Sequence, residues 1–192
     1  MRIVAGTLRG RRLVAPAGVA TRPTSNRVRE ALFSALESRM TPGLGGARVL
    51  DAYAGSGALG LEALSRGAER AVFVEKDRAA LEALRRNIRD LGVDSAARVL
   101  ALDVRSLSRR AVPDGPFSLL LLDPPYRIDR SEVRGLIEAL ETGGAISDGA
   151  LIVWEHATGS ESDWPEWVTP LSDRRYGSTT VSIGEAGRTA AG

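Results

Sequence analysis

Between residues 48 and 155 the chain repeats one pattern: a short, wholly apolar run, an amphipathic stretch of helical period, then another apolar run. The runs at 48–51, 71–75 (AVFVE), 99–103, 117–122 (FSLLLL) and 150–155 (ALIVWE) lack the polar alternation of a strand wetted on one face. Each must therefore be covered on both sides. Residues 59–65, 78–91 and a segment carrying Val133, Leu136, Ile137 and Leu140 repeat their apolar side chains at helical spacing. Gly67 and Gly92 stop the first two. Strands alternating with helices predict an α/β chain: a mostly parallel sheet with helices on both faces.

The flanks read differently. Residues 1–16 predict two short strands around Gly6 to Gly10, with Ile3, Val4, Leu13 and Val14 as their apolar part. A loop runs to Thr24. A helix is expected over 25–39, because Val28, Ala31, Leu32, Ala35 and Leu36 share a face and Thr24 or Ser25 can cap it. At the other end, 167–171 and 179–183 follow each other without a helix and predict an antiparallel pair. Residues 185–192 read as a flexible tail.

Composition narrows the chemistry. At 192 residues the chain suits one domain. Without cysteine there is no disulfide, thiolate nucleophile or cysteine-bound metal. A single histidine, His156, argues against a histidine metal site or a histidine-dependent hydrolase. No apolar run reaches the ~20 residues of a membrane span, and the opening MRIVAG is no signal peptide, so a soluble cytoplasmic protein is expected. The net charge of +2 is unevenly spread. Residues 1–39 carry eight arginines against Glu30 and Glu37, and the remainder is net acidic. A basic front end on an acidic body predicts a polyanionic partner.

Two motifs carry chemistry. Asp51-Ala-Tyr-Ala-Gly55-Ser-Gly57-Ala-Leu-Gly60 lies between a strand and a helix, where glycines let backbone approach a ligand. Glu75 ends the next strand, placed to grip two ribose hydroxyls. Asp51 selects among nucleoside cofactors: it would repel a pyrophosphate but suits an ammonium and a sulfonium, the charges of S-adenosylmethionine. Asp103 ends the third run and can accept from an adenine amino group. The second motif is Asp123-Pro124-Pro125-Tyr126, entered directly from a strand. Its prolines stiffen the turn. The Asp123 carboxylate and Pro124 carbonyl can each accept one N–H of an amino or amide nitrogen, turning its lone pair toward a methyl donor. Tyr126 offers a stacking face to a base that is unpaired or flipped out.

These motifs resemble class I S-adenosylmethionine-dependent methyltransferases that modify an amino or amide nitrogen. The openings Arg2-Ile-Val-Ala-Gly-Thr-Leu-Arg-Gly-Arg-Arg-Leu and Arg22-Pro-Thr-Ser-Asn-Arg-Val-Arg-Glu-Ala-Leu-Phe33 narrow the likeness to the RsmD family, bacterial 16S rRNA guanine-N2 methyltransferases. The resemblance spans residues 1–183. It implies a Rossmann-like domain over 21–184 with a seven-stranded sheet, and a β-hairpin extension over 1–20. The expected catalytic residues are Asp123, Pro124 and Tyr126. The expected cofactor set is Asp51, Gly55, Gly57, Glu75, Lys76, Asp103 and Val104, with no metal. Arg9, Arg11, Arg12, Arg22 and Arg27 are expected on rRNA phosphates, and Thr24, Arg29 and Glu30 near the cofactor's methionine end. The implied partner is an assembled or nearly assembled small subunit, met by a monomer. Asp-Pro-Pro-Tyr serves adenine-N6 DNA methyltransferases equally well, although 192 residues leave no room for a DNA-recognition domain. Glutamine-N5 methylation, NAD-dependent hydride transfer and a non-catalytic ribosome assembly factor are further alternatives, the last two disfavoured by Asp51 with Asp123 and Tyr126.

Overall fold

The computed structural model describes residues 1–16, 26–109, 111–125, 127–159 and 162–187. Its strands are β1 (Arg48–Asp51), β2 (Arg70–Glu75), β3 (Ala97–Ala101), β4 (Phe117–Leu122), β5 (Ile146–Ala157), β6 (Val168–Tyr176) and β7 (Thr179–Ala186). They form one sheet in the order β3-β2-β1-β4-β5-β7-β6. The first five run parallel, and β7 is antiparallel to both β5 and β6.

The uninterrupted apolar runs arise because successive side chains enter opposite cores. Val49, Phe73, Leu119, Leu121, Leu151 and Val153 face a layer built by α1 (Asn26–Glu37), α2 (Ala58–Ser65) and α3 (Arg78–Leu91). Leu50, Val72, Val74, Leu120, Leu122, Ile152 and Trp154 face the other layer, built by a 3-10 turn over Val104–Arg109 and by α4 (Arg130–Thr142). Local signals set the helix ends. Asp77 caps α3 by accepting from the Ala80 N–H at 2.9 Å, and Gly92 ends it at φ 70°. Asp129 caps α4 through the Ser131 N–H at 2.8 Å.

Several sequence expectations shift. The front end does reverse, but as one antiparallel bridge between Arg2 and Arg12 rather than two strands. The cause is competition for backbone donors. The N–H groups of Val4 and Ala5 go to the Glu62 carboxylate at 2.8 and 2.9 Å, and that of Leu8 goes to Ser65 Oγ at 3.0 Å. Ile3 and Leu13 are buried, while Val4 and Val14 are only half-buried. The first helix spans Asn26–Glu37; both cap candidates, Thr24 and Ser25, lie outside the described residues. β3 ends at Ala101, two residues before Asp103. β7 continues to Ala186, which is buried, so Glu185 and Ala186 belong to the sheet and not to a tail; residues 188–192 lie outside the described residues. Trp154 and Trp164 pack edge to face at 5.5 Å, and His156 Nε2 meets Ser182 Oγ at 2.7 Å. Among the described residues no helix is long and apolar enough to cross a membrane.

Candidate active site

The sheet changes winding direction between β1 and β4, and at such a point the loops beyond the strand tips diverge and leave a crevice. The tips of β1, β2 and β4 carry Asp51, Glu75 and, one residue on, Asp123.

Asp51 is almost wholly buried and accepts from the Gly60 N–H at 3.0 Å. Loss of water pushes its carboxyl up to about 7; the Gly60 bond opposes this and the Glu75 charge adds to it. Gly60 is required here: a Cβ would stand 2.3 Å from the Phe73 ring and 3.1 Å from Asp51 Oδ2. Gly55 sits at φ 54° with open space where a side chain would project, and donates its N–H to Glu75 Oε2 at 2.8 Å. Gly57, at φ 85°, begins α2, and its bare face admits Leu84 of α3. Glu75 Oε1 accepts from the N–H groups of Lys76 and Asp77 at 2.7 and 2.8 Å. That carboxylate therefore folds the glycine loop onto the turn after β2.

Asp103 is held by cations. Its Oδ1 takes the N–H and Nε of Arg105, and its Oδ2 takes Arg105 Nη2 at 2.7 Å and Lys76 Nζ at 2.9 Å. These bonds hold its carboxyl well below the usual range. Val104 is buried at the start of the 3-10 turn. Asp123 is half-buried and Pro124 buried, while Pro125 is exposed and its carbonyl accepts from the Ile128 N–H at 2.9 Å. Desolvation, then the charges of Glu155 and Asp51, push the Asp123 carboxyl well above the ordinary carboxylate range. Tyr126 and Arg22 lie outside the described residues.

The arginines divide. Arg9, Arg12 and Arg27 are exposed. Arg11 is exposed too, but its guanidinium donates to the Asp90 carbonyl and ties the front segment to α3. Arg29 is fully buried, donating to the Arg2 carbonyl and to Asn26 Oδ1 at 2.9 Å, and paired with Glu62 at 3.4 Å. It is an internal strut, not a ligand contact, whereas Glu30 is exposed.

Sequence reasoning passed over three residues. Asn87, buried on α3, accepts the Val14 N–H at 2.7 Å and donates to the Val14 carbonyl and to the Ser56 carbonyl of the glycine loop. Its place between Leu84 and Ile88 on an apolar face was the available sign. Tyr53 is half-buried beside the crevice, its hydroxyl pushed up to about 12 by burial and by Glu132 and Asp103. Glu155 lies near the end of β5, two residues before its last residue, Ala157, beside the Asp123 turn. A cavity of about 560 Å³ opens at the opposite end of the strands among residues such as Thr41, Ser118, Gly149 and Glu185, and touches none of these groups.

A sheet of this order, with carboxylates at its tips and a glycine loop at its switch point, is that of a class I Rossmann-like methyltransferase. A Salinibacter ruber RNA methyltransferase in complex with S-adenosyl-L-homocysteine shares the fold at TM-score 0.64 and 16% identity, over 88% of this chain and 96% of that one. The chain belongs to the RsmD family, whose model, described as conserved hypothetical protein 95, matches residues 1–185. The Escherichia coli K12 protein named ribosomal RNA small subunit methyltransferase D is 40% identical over 155 residues, covering 81% of this chain and 74% of its own. The solved Escherichia coli yhhF structure matches at TM-score 0.83 and 35% identity, over 97% and 98% of the two chains.

Proposed function

We propose that this chain is an rRNA methyltransferase that moves a methyl group from S-adenosylmethionine to the exocyclic N2 of a guanine in 16S rRNA, within an assembled or nearly assembled small subunit. Membership of the family and the names of its relatives support the rRNA methyltransferase reading. The observation that carries the chemistry is Asp51 and Asp123 at the tips of adjacent parallel strands, both with raised carboxyls.

The cofactor suits the residues present. Asp51 is a buried carboxylate whose ionisation is suppressed by loss of water, and a cationic ligand beside it would favour the ionised form. Open space at Gly55 lets a ligand close on the backbone. Asp51 would hold the ammonium end, Gly55 and Gly57 the chain between, and Glu75 the ribose. Asp103 and Val104 would flank the adenine; because both Asp103 oxygens already accept two donors each, contact there requires the exposed Lys76 to yield its place. When bound, S-adenosylmethionine supplies an electrophilic methyl: the N2 lone pair forms the new N–C bond as the C–S bond breaks, its electrons staying on sulfur. Asp123 and the Pro124 carbonyl accept the two N2–H bonds, hold the lone pair in line, and Asp123 takes the released proton. A raised carboxyl is a better proton acceptor than an ordinary one. Tyr126 would stack on the base.

The reading is tested with tritiated S-adenosylmethionine and small subunits from a strain lacking this protein. N2-methylguanine in the nucleoside digest is expected; label in N6-methyladenine or in protein overturns it.

Asp51 makes cofactor affinity depend on pH. Because its folded pKa lies near 7, it is protonated and neutral below that value. Affinity is expected to fall on acidification below pH 7, approaching tenfold per pH unit, and the dependence should vanish in Asp51→Asn. Equilibrium dialysis between pH 5.5 and 8.5 measures this.

Arg9, Arg12 and Arg27 are proposed on rRNA phosphates together with Arg11 and Arg22. Deleting the front segment is a poor test, because Ile3 and Leu13 are in the core. Arg9→Ala with Arg12→Ala is expected to weaken subunit binding and reduce the salt slope by roughly 0.7–0.9 for each phosphate no longer neutralised, with cofactor affinity intact. An unchanged slope removes the assignment.

A further inference from the structure

One carboxylate at the crevice has no part in the mechanism above. β4 and β5 run parallel with Leu122 beside Trp154, so one residue further Asp123, just past the end of β4, stands beside Glu155, two residues short of the end of β5. Alternation fixes the side on which they project. Leu121 and Val153 face the layer of α1, α2 and α3, whereas Leu122 and Trp154 face the opposite one. Asp123 and Glu155 therefore return to the α1–α3 side. Asp51, which follows Val49 and Leu50 in the same alternation, falls there too. Three carboxylates thus form a row across β1, β4 and β5, in the order Asp51, Asp123, Glu155. Their proximity is felt electrostatically, since the Glu155 and Asp51 charges both raise Asp123. Glu155 is half-buried.

If the donor lies over β1, β2 and β3, the acceptor base must enter from the β5 side, where Glu155 stands. Carboxylates accept hydrogen bonds and donate none when ionised. Guanine presents N1–H and the N2 amino group side by side, two neighbouring donors for two neighbouring acceptors. Adenine presents the N1 lone pair beside its amino group, and a second carboxylate repels it. We propose that Glu155 determines the choice of base, accepting the guanine N1–H while Asp123 holds the N2 amino group. The proposal rests on the methyltransferase reading above and deepens it.

The test uses the full chain with S-adenosylmethionine and subunits from the deletion strain, comparing parent, Glu155→Gln and Glu155→Ala. Loss of a hydrogen bond to a charged group is expected to lower kcat/KM roughly 10- to 100-fold in Glu155→Ala, with cofactor affinity unchanged. Glu155→Gln keeps an acceptor oxygen and its shape, so it should retain more activity. Both variants remove a like charge from beside Asp123, leaving Asp51 as the other carboxylate facing it, so the acid limb of the kcat/KM profile should move to lower pH. That shift reports the removed charge; a purely structural role would lower the rate equally in both variants, with no partial recovery in Glu155→Gln. If Glu155→Ala does not fold, as judged by its melting transition, Glu155→Gln carries the test through its own kcat/KM against the parent. A parent that produces no N2-methylguanine ends the methyltransferase reading itself. A parent that produces it, beside variants with unchanged kcat/KM and an unmoved acid limb, overturns only the role of Glu155.

Discussion

Asp123→Ala is expected to lower turnover by on the order of 10³-fold while S-adenosylmethionine affinity stays within about threefold of the parent. The side chain sits one residue past β4, beside the cofactor crevice rather than inside the glycine loop. Its removal leaves Asp51, Gly55 and Glu75 as they are. On the proposed mechanism, what is lost is the acceptor that would hold one N–H of a weakly nucleophilic amino group and collect its proton. Asp123→Asn keeps an oxygen that can accept, so part of the activity should survive. Neither substitution should lower the melting temperature, because each relieves repulsion from Glu155 and Asp51. Parental turnover in both variants would remove the lone-pair argument.

The second large effect is on stability. Glu62, fully buried in α2, pairs with Arg29 at 3.4 Å and with Arg66 at 2.9 Å, and accepts the N–H groups of Val4 and Ala5. Glu62→Ala strands the buried Arg29 charge and two backbone donors together. Losing one partner of a buried pair costs about 3–5 kcal/mol, which for a domain of this size lowers the melting temperature by roughly 6–20 °C. Glu62→Gln, which keeps two of these interactions, should lose less. Calorimetry of the two variants measures this. Because Glu62 anchors the front segment, Glu62→Ala should also make the bond after Arg2 or Arg9 sensitive to trypsin in the otherwise folded protein.

Much of this organisation was legible in the sequence because period and punctuation agreed. The runs at 48–51 and 117–122 and the helix at 78–91 fall where the structure has them, since each is set by local pattern and a local stop such as Gly92. The tip carboxylates Asp51, Glu75 and Asp123 were legible for the same reason: strand ends can be located, and this class of sheet gathers its ligands there. What escaped was tertiary. Arg29 was expected near the cofactor's methionine end, and only the front segment folding over α1 and α2 buries it. Glu62 was the clue, a lone acidic residue in the otherwise small and apolar 58–65, yet the front-segment donors it serves, Val4 and Ala5, lie 58 and 57 residues away. Asp103 was placed on a strand that stops at Ala101, because nothing in the composition of 97–103 separates the last strand residue from the turn after it.

The position of β7 bears on how the molecule comes into being. It is the last of the described strands in chain order but lies inside the sheet, closing the flank of β5 and carrying β6 outward. Until residues 179–186 have left the ribosome, β5 presents open main-chain groups along that flank, beside the large rings of Trp154 and Trp164. Nascent chains halted before Thr179 should therefore be sticky, recruiting chaperones or one another through that edge. An enzyme acting on the translation machinery would thus be most vulnerable during the final moments of its own translation.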